Sequence, residues 1–197
     1  MALLVLGAAP VTAENDEQAS IKHAFRVYLV EDKVNFMKHD EVNLDDLKLQ
    51  EHPLVTENDV VEYDWQTHTI KLTEKGFEPF AEPAARDFPV EHDDETRTLK
   101  AEGENHQAKS GLRGKAFVVI ADGQRCYLGV FTSSFSSLAL SLPVINLVPL
   151  PKEVPPENSI RIDRAYPSAE FAKGEDPKCD ARIRSALSAL GKLRGEK

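Results

Sequence analysis

The stretch Lys115-Ala-Phe-Val-Val-Ile-Ala-Asp-Gly-Gln-Arg-Cys-Tyr-Leu-Gly-Val-Phe131 sets two apolar runs on either side of Asp122-Gly123. A type I′ turn requires positive φ at both central residues, which Asp tolerates and Gly adopts freely, so the pair predicts a tight β-hairpin. Unbroken pairing around that turn sets Ala121 against Gln124, Val119 against Cys126 and Phe117 against Leu128, all on one face. Val118, Ile120, Arg125 and Tyr127 then share the other face. Both faces carry large apolar groups, which predicts an interior hairpin covered at least partly on each side, with Arg125 escaping near the turn.

The flanking segments predict an α+β domain: a mixed, mostly antiparallel sheet with short helices on one side and a C-terminal helix. Ile21 to Val30 reads as a strand with Phe25, Val27 and Leu29 on one face, and Asn43 to Leu47 as a polar turn. Val60 to Trp65 and Thr69 to Leu72 form a second hairpin around Gln66-Thr67-His68. Val61, Tyr63 and Trp65 lie on one face of it, with Ile70 and Leu72 on the partner strand. Thr73 caps a short helix through Phe77 and Phe80, which Pro83 ends. Residues 82–114 are rich in Pro, Asp, Glu, His and Gly and predict a long polar insertion. Beyond the central hairpin, Leu138 to Val148 is strand-like, Pro151 to Asn158 is turn-rich, and Ile160 to Ile162 predicts an edge strand. The last helix starts at Asp176 as N-cap with Pro177 at its first position, and stops at Gly191. One domain over residues 20–191 accounts for these elements.

With 24 Lys and Arg against 33 Asp and Glu, the net charge is -9. Such a surface repels phosphate backbones, which argues against nucleic acid as a partner; solubility explains the acidity. Met1-Ala-Leu-Leu-Val-Leu-Gly-Ala-Ala-Pro-Val-Thr-Ala13 resembles a truncated signal peptide: a short apolar core, then small residues before Glu14-Asn15-Asp16. The expected location is therefore periplasmic or secreted. Leu138 to Leu150 is too short, and too interrupted by Pro143 and Pro149, to span a bilayer. Cys179 falls on the apolar stripe Cys179, Ile183, Ala186, Leu187 and Leu190 of the last helix, so it and Cys126 both face core surfaces. They predict either a Cys126–Cys179 disulfide or two separate buried thiols.

The succession Thr56-Glu-Asn-Asp-Val-Val61, Ile70-Lys-Leu-Thr-Glu-Lys-Gly-Phe77, an apolar strand, Asp122-Gly123 and a returning strand resembles the head part of the first periplasmic domain of SecD, an accessory subunit of bacterial protein export. It covers roughly Pro53 to Val130, under half the chain. The resemblance implies an α+β, non-catalytic interaction domain outside the membrane. The export-motor activity does not carry over, because this sequence lacks a transmembrane bundle, carries the insertion and ends in an extra helix. The whole pattern, including Tyr63 to His68 and Tyr127-Leu-Gly129, is also similar to small uncharacterised exported bacterial proteins.

Chemical motifs are sparse. There is no nucleophile elbow, Walker loop, zinc-protease helix or dinucleotide fingerprint. His39-Asp40-Glu41 and His92-Asp93-Asp94-Glu95 offer ligating groups but fit no loop that makes them converge, so neither a metal nor another cofactor is expected. Asp64, Trp65 and His68 form the leading binding candidate, an exposed hairpin tip offering stacking and hydrogen bonding. Two functions follow. The first is an exported, non-enzymatic domain that binds a protein or cell-envelope component. The second is a small hydrolase or metal-dependent enzyme in which His68, Asp64 and the Thr132 to Ser137 loop converge.

Overall fold

Asp122 and Gly123 take φ of 50° and 72°, the positive values that the tight turn requires. The computed structural model describes residues 23–81 and 111–195. Met1 to Ala13 and residues 82–110 of the predicted insertion lie outside them. Eight strands are present among the described residues: β1 (Phe25–Leu29), β2 (Val60–Asp64), β3 (Thr69–Leu72), β4 (Ala116–Ala121), β5 (Gln124–Thr132), β6 (Val144–Asn146), β7 (Ser159–Asp163) and β8 (Leu193–Arg194). They form one curled sheet in the order β1-β4-β5-β6-β7-β3-β2-β8. Pairs β5/β6 and β2/β8 are parallel and the rest antiparallel. The α+β class with a mixed, mostly antiparallel sheet is as the sequence predicts.

The central hairpin keeps its turn but not its expected register. Ala121 pairs with Gln124 and Ile120 with Arg125, after which Val119 pairs with Tyr127, Val118 with Leu128 and Phe117 with Gly129. Cys126 is thus the extra residue of a β-bulge, and beyond it every β5 side chain changes face. The reason is steric. A Cβ on residue 129 would lie 2.2–2.7 Å from the Phe117 ring, so the ring fills space that only a glycine leaves open. Phe117, Val119, Tyr127 and Phe131 consequently share the larger core, while Val118, Leu128 and Val130 pack on the opposite face. The hairpin is interior and covered on both sides, as predicted. On the second face the cover comes from Phe36, Leu44, Leu47 and Leu49 of the segment after β1. Arg125 does not escape to solvent; it donates to the carbonyls of Leu44 and Leu47 and holds that segment down.

The β2/β3 hairpin is also bulged. Val60 pairs with Leu72 and Glu62 with Lys71, which leaves Val61 unpaired and exposed instead of sharing a face with Tyr63. Thr73 caps the short helix α1 (Glu74–Phe77) by accepting from Gly76 N at 3.1 Å, and a 3-10 turn continues through Glu78–Phe80. Ser159 to Asp163 departs most from expectation. It is no edge strand: β7 pairs with β6 on one side and β3 on the other, joining the two halves of the sheet. Only Val144 to Asn146 of the apolar run 138–148 is a strand, although Leu140 and Leu142 remain buried.

The terminal helix is interrupted. Asp176 caps a 3-10 turn, Pro177–Cys179, and Asp180 then takes an extended conformation and caps α2 (Ala181–Ala189), accepting from Arg182 N at 2.8 Å. Ile183, Ala186 and Leu187 of α2 seat in the larger core. After Gly191, at φ 66°, the chain adds β8 beside β2, an element with no sequence signal of its own. No helix among the described residues is long and apolar enough to cross a membrane.

Replacing Gly129 with Ala should destabilise the fold by about 3 kcal/mol through overpacking against Phe117. Urea denaturation should show the cost, and combining Gly129→Ala with Phe117→Leu should cost less than the sum of the single changes.

Candidate functional site

The hairpin predicted to be an exposed tip turns inward. Asp64 Oδ1 accepts from Gln66 N at 2.8 Å and Thr67 N at 3.1 Å, closing a tight loop. His68 follows in the left-handed region at φ 51°, and its imidazole folds under the loop, leaving 8% of the residue exposed. Trp65 is half-buried against the larger core, with its ring 5.6 Å from His68 in an edge-to-face contact. Of the three predicted binding residues, Trp65 and His68 therefore pack together, and the Asp64 carboxylate is occupied by its own turn.

His68 Nδ1 lies 3.0 Å from the hydroxyl of Tyr63, a wholly buried residue whose ring meets Phe25 edge-on at 6.0 Å. This contact fixes the imidazole plane and directs Nε2 toward the 3-10 turn that precedes α2. There Nε2 meets Cys179 Sγ at 4.0 Å. An Asp176 carboxylate oxygen completes the set, the ligating atoms of the three residues lying within 4.8 Å of one another. Among the described residues this is the one place where three such groups converge. Lys178, buried between them, donates from Nζ to the Ile162 carbonyl at 3.0 Å and stands 3.6 Å from Asp176 Oδ2.

The break at Asp180 explains why sequence periodicity missed this arrangement. A continuous helix would turn Cys179 to the core with Ile183. The extended Asp180 takes Cys179 off that stripe, so the thiol is exposed on one side and faces His68 on the other. Cys126, the bulge residue, is half-buried, and its thiol donates to the Gln124 carbonyl at 3.5 Å. Both cysteines are free, Cys126 half-buried and Cys179 exposed.

Burial is the main cause that lowers the His68 pKa to about 4, and the Lys178 ammonium adds to it against the pull of Asp176 and Asp64. The imidazole is neutral at physiological pH. Burial also pushes the Cys126 thiol up to about 11, and lowers Lys178 although Asp176 opposes the change. Imidazole, sulfur and carboxylate together form a set of electron-pair donors.

The groups that the alternative enzyme reading would bring together have other partners. His68 engages Tyr63 and Cys179, Asp64 holds its turn, and Ser134 Oγ accepts from Asn146 at 2.8 Å. Strands β7 and β6 separate β3 from β5, a distance of roughly 14 Å across the sheet at ordinary strand spacing. His39 bonds locally, its Nε2 3.0 Å from Asp40 and its Nδ1 3.1 Å from the Phe36 carbonyl, while His92 to Glu95 lie outside the described residues. Neither a family model, nor a curated protein, nor a solved structure matches the chain.

The depressed His68 pKa makes the unfolded state bind the extra proton between pH 6.5 and 4, so stability falls as pH falls through that window. The loss from this group should reach roughly 3 kcal/mol, and His68→Gln should remove it, flattening the pH dependence of the urea midpoint in chelator-treated protein. Alkylation at pH 8 should label Cys179 well before Cys126, as mass mapping would show.

Proposed function

We propose that the chain is an exported, non-enzymatic α+β interaction domain similar to the head part of the first SecD periplasmic domain, binding a protein or cell-envelope component. The observation that supports this reading is that the two short motifs carrying the resemblance form one interlocked unit. Thr56 bonds Asp59 Oδ2 through both its backbone N–H at 2.9 Å and its hydroxyl at 2.7 Å. The Asp59 carbonyl accepts from Thr73 N at 2.8 Å, and Gly76 packs so closely on Asp59 that a Cβ there would lie 2.7 Å from the aspartate's own. The Thr-x-x-Asp turn and the Leu-Thr-x-x-Gly step are therefore a matched joint beside the β2/β3 hairpin, which is more than short motifs arising separately would require.

The same hairpin is the binding surface in this reading. Exposed Val61, half-buried Trp65 and the exposed loop residues Gln66 and Thr67 present apolar and hydrogen-bonding groups on a rigid base. His68 contributes by supporting the loop from below.

Fractionation of the tagged protein in its own host should find it outside the cytoplasm. A photo-crosslinking amino acid at Val61 or Trp65 should give a discrete adduct that the same group at exposed Lys152 does not. Recovery in the cytosol, or equal adducts from Lys152, would overturn the reading.

A further inference from the structure

We propose that His68, Asp176 and Cys179 bind a divalent cation of the zinc class, clamping the turn before α2 onto the β2/β3 hairpin. The donor set is the first reason. Thiolate and imidazole select borderline metals over calcium or magnesium, and a carboxylate completes three of the four positions of a tetrahedral site. The spacing is the second. Ligands about 2.0–2.3 Å from a tetrahedral ion lie roughly 3.5 Å apart, so the 4.0 Å between Sγ and Nε2 needs only a small contraction.

The setting of His68 is the third and independent reason. The residue is more than nine-tenths buried, and the contact of Nε2 among the described residues is the sulfur at the outer limit of a hydrogen bond. Tyr63 meanwhile holds Nδ1 at 3.0 Å. When Nε2 takes a metal, Nδ1 carries the proton and donates it to the Tyr63 oxygen, the outer-shell bond that orients metal-bound histidines. Cys179 gives up its thiol proton to the buffer as the sulfur–metal bond forms. Because Cys179 is exposed, the fourth position opens to solvent, where water fills it. Lys178 shares Asp176 with the cation and moderates affinity.

The site links residues 111 positions apart, so the ion would stabilise the docking of the turn before α2 on the β2/β3 hairpin, whatever the partner is. The test uses the full chain, stripped with chelator and kept reduced with a phosphine, and titrated with Co²⁺ and then Zn²⁺. Saturable thiolate-to-cobalt charge-transfer absorption with tetrahedral d–d bands is expected, bleached by zinc. Cys179→Ser should abolish the charge-transfer band, and Cys126→Ser should leave it unchanged. His68→Gln and Asp176→Asn should each weaken zinc binding at least tenfold, and Tyr63→Phe by roughly tenfold. Cys179 is exposed, so its serine variant tests the site without threatening the fold, which circular dichroism checks. Absence of the band in folded, reduced protein at excess cobalt would overturn the proposal. So would a band that survives Cys179→Ser, or one lost equally with Cys126→Ser.

Discussion

The contact of the Phe117 ring with the bare backbone of Gly129 is the constraint on which the arrangement of the sheet depends. A strand cannot change faces gradually, because its side chains alternate and a shift of one residue inverts all of them. With Phe117 lodged over Gly129, the extra residue must be absorbed nearer the turn, and Cys126 is where the bulge falls. Phe131 then points inward, its ring 4.9 Å from Phe117 and 6.1 Å from Phe80, so the aromatic cluster runs from the central hairpin to the turn after α1. The opposite faces of β4 and β5 are left to the aliphatic residues that the segment after β1 covers.

Strong local chemistry was legible in the sequence. The Asp122-Gly123 turn, the Thr73 cap and the alternation of Phe25, Val27 and Leu29 each act within a few residues, and each forms as read. The register of the central hairpin was not legible by counting from the turn, although Gly129 in an apolar strand marks either a bulge or a close approach. The place of β7 was harder still. Its Ile160 and Ile162 describe one buried face, but the backbone edges that β6 and β3 occupy leave no pattern in side chains.

The site followed the same division. Asp64, Trp65 and His68 were visible as a polar and aromatic group on a turn, but whether His68 points outward depends on a left-handed φ set by the hydrogen bonds to Asp64. The spacing places Cys179 on a helix face because it takes Asp176 as the only cap, whereas Asp180 caps as well. The structure uses both, and the interruption sets a thiol beside an imidazole from another part of the chain. A convergence of that kind is a tertiary property.

The position of β7 also governs the order in which the molecule can be completed. The β2/β3 hairpin is made early, yet its neighbours in the sheet, β7 and β8, come from the last part of the chain. Until those residues are synthesised, both backbone edges of the hairpin lack their sheet partners, and Tyr63 lacks Leu193 of β8 beside it. Such long-range pairing slows folding. A nascent chain of this topology holds that hairpin with both edges unpaired until β7 and β8 arrive.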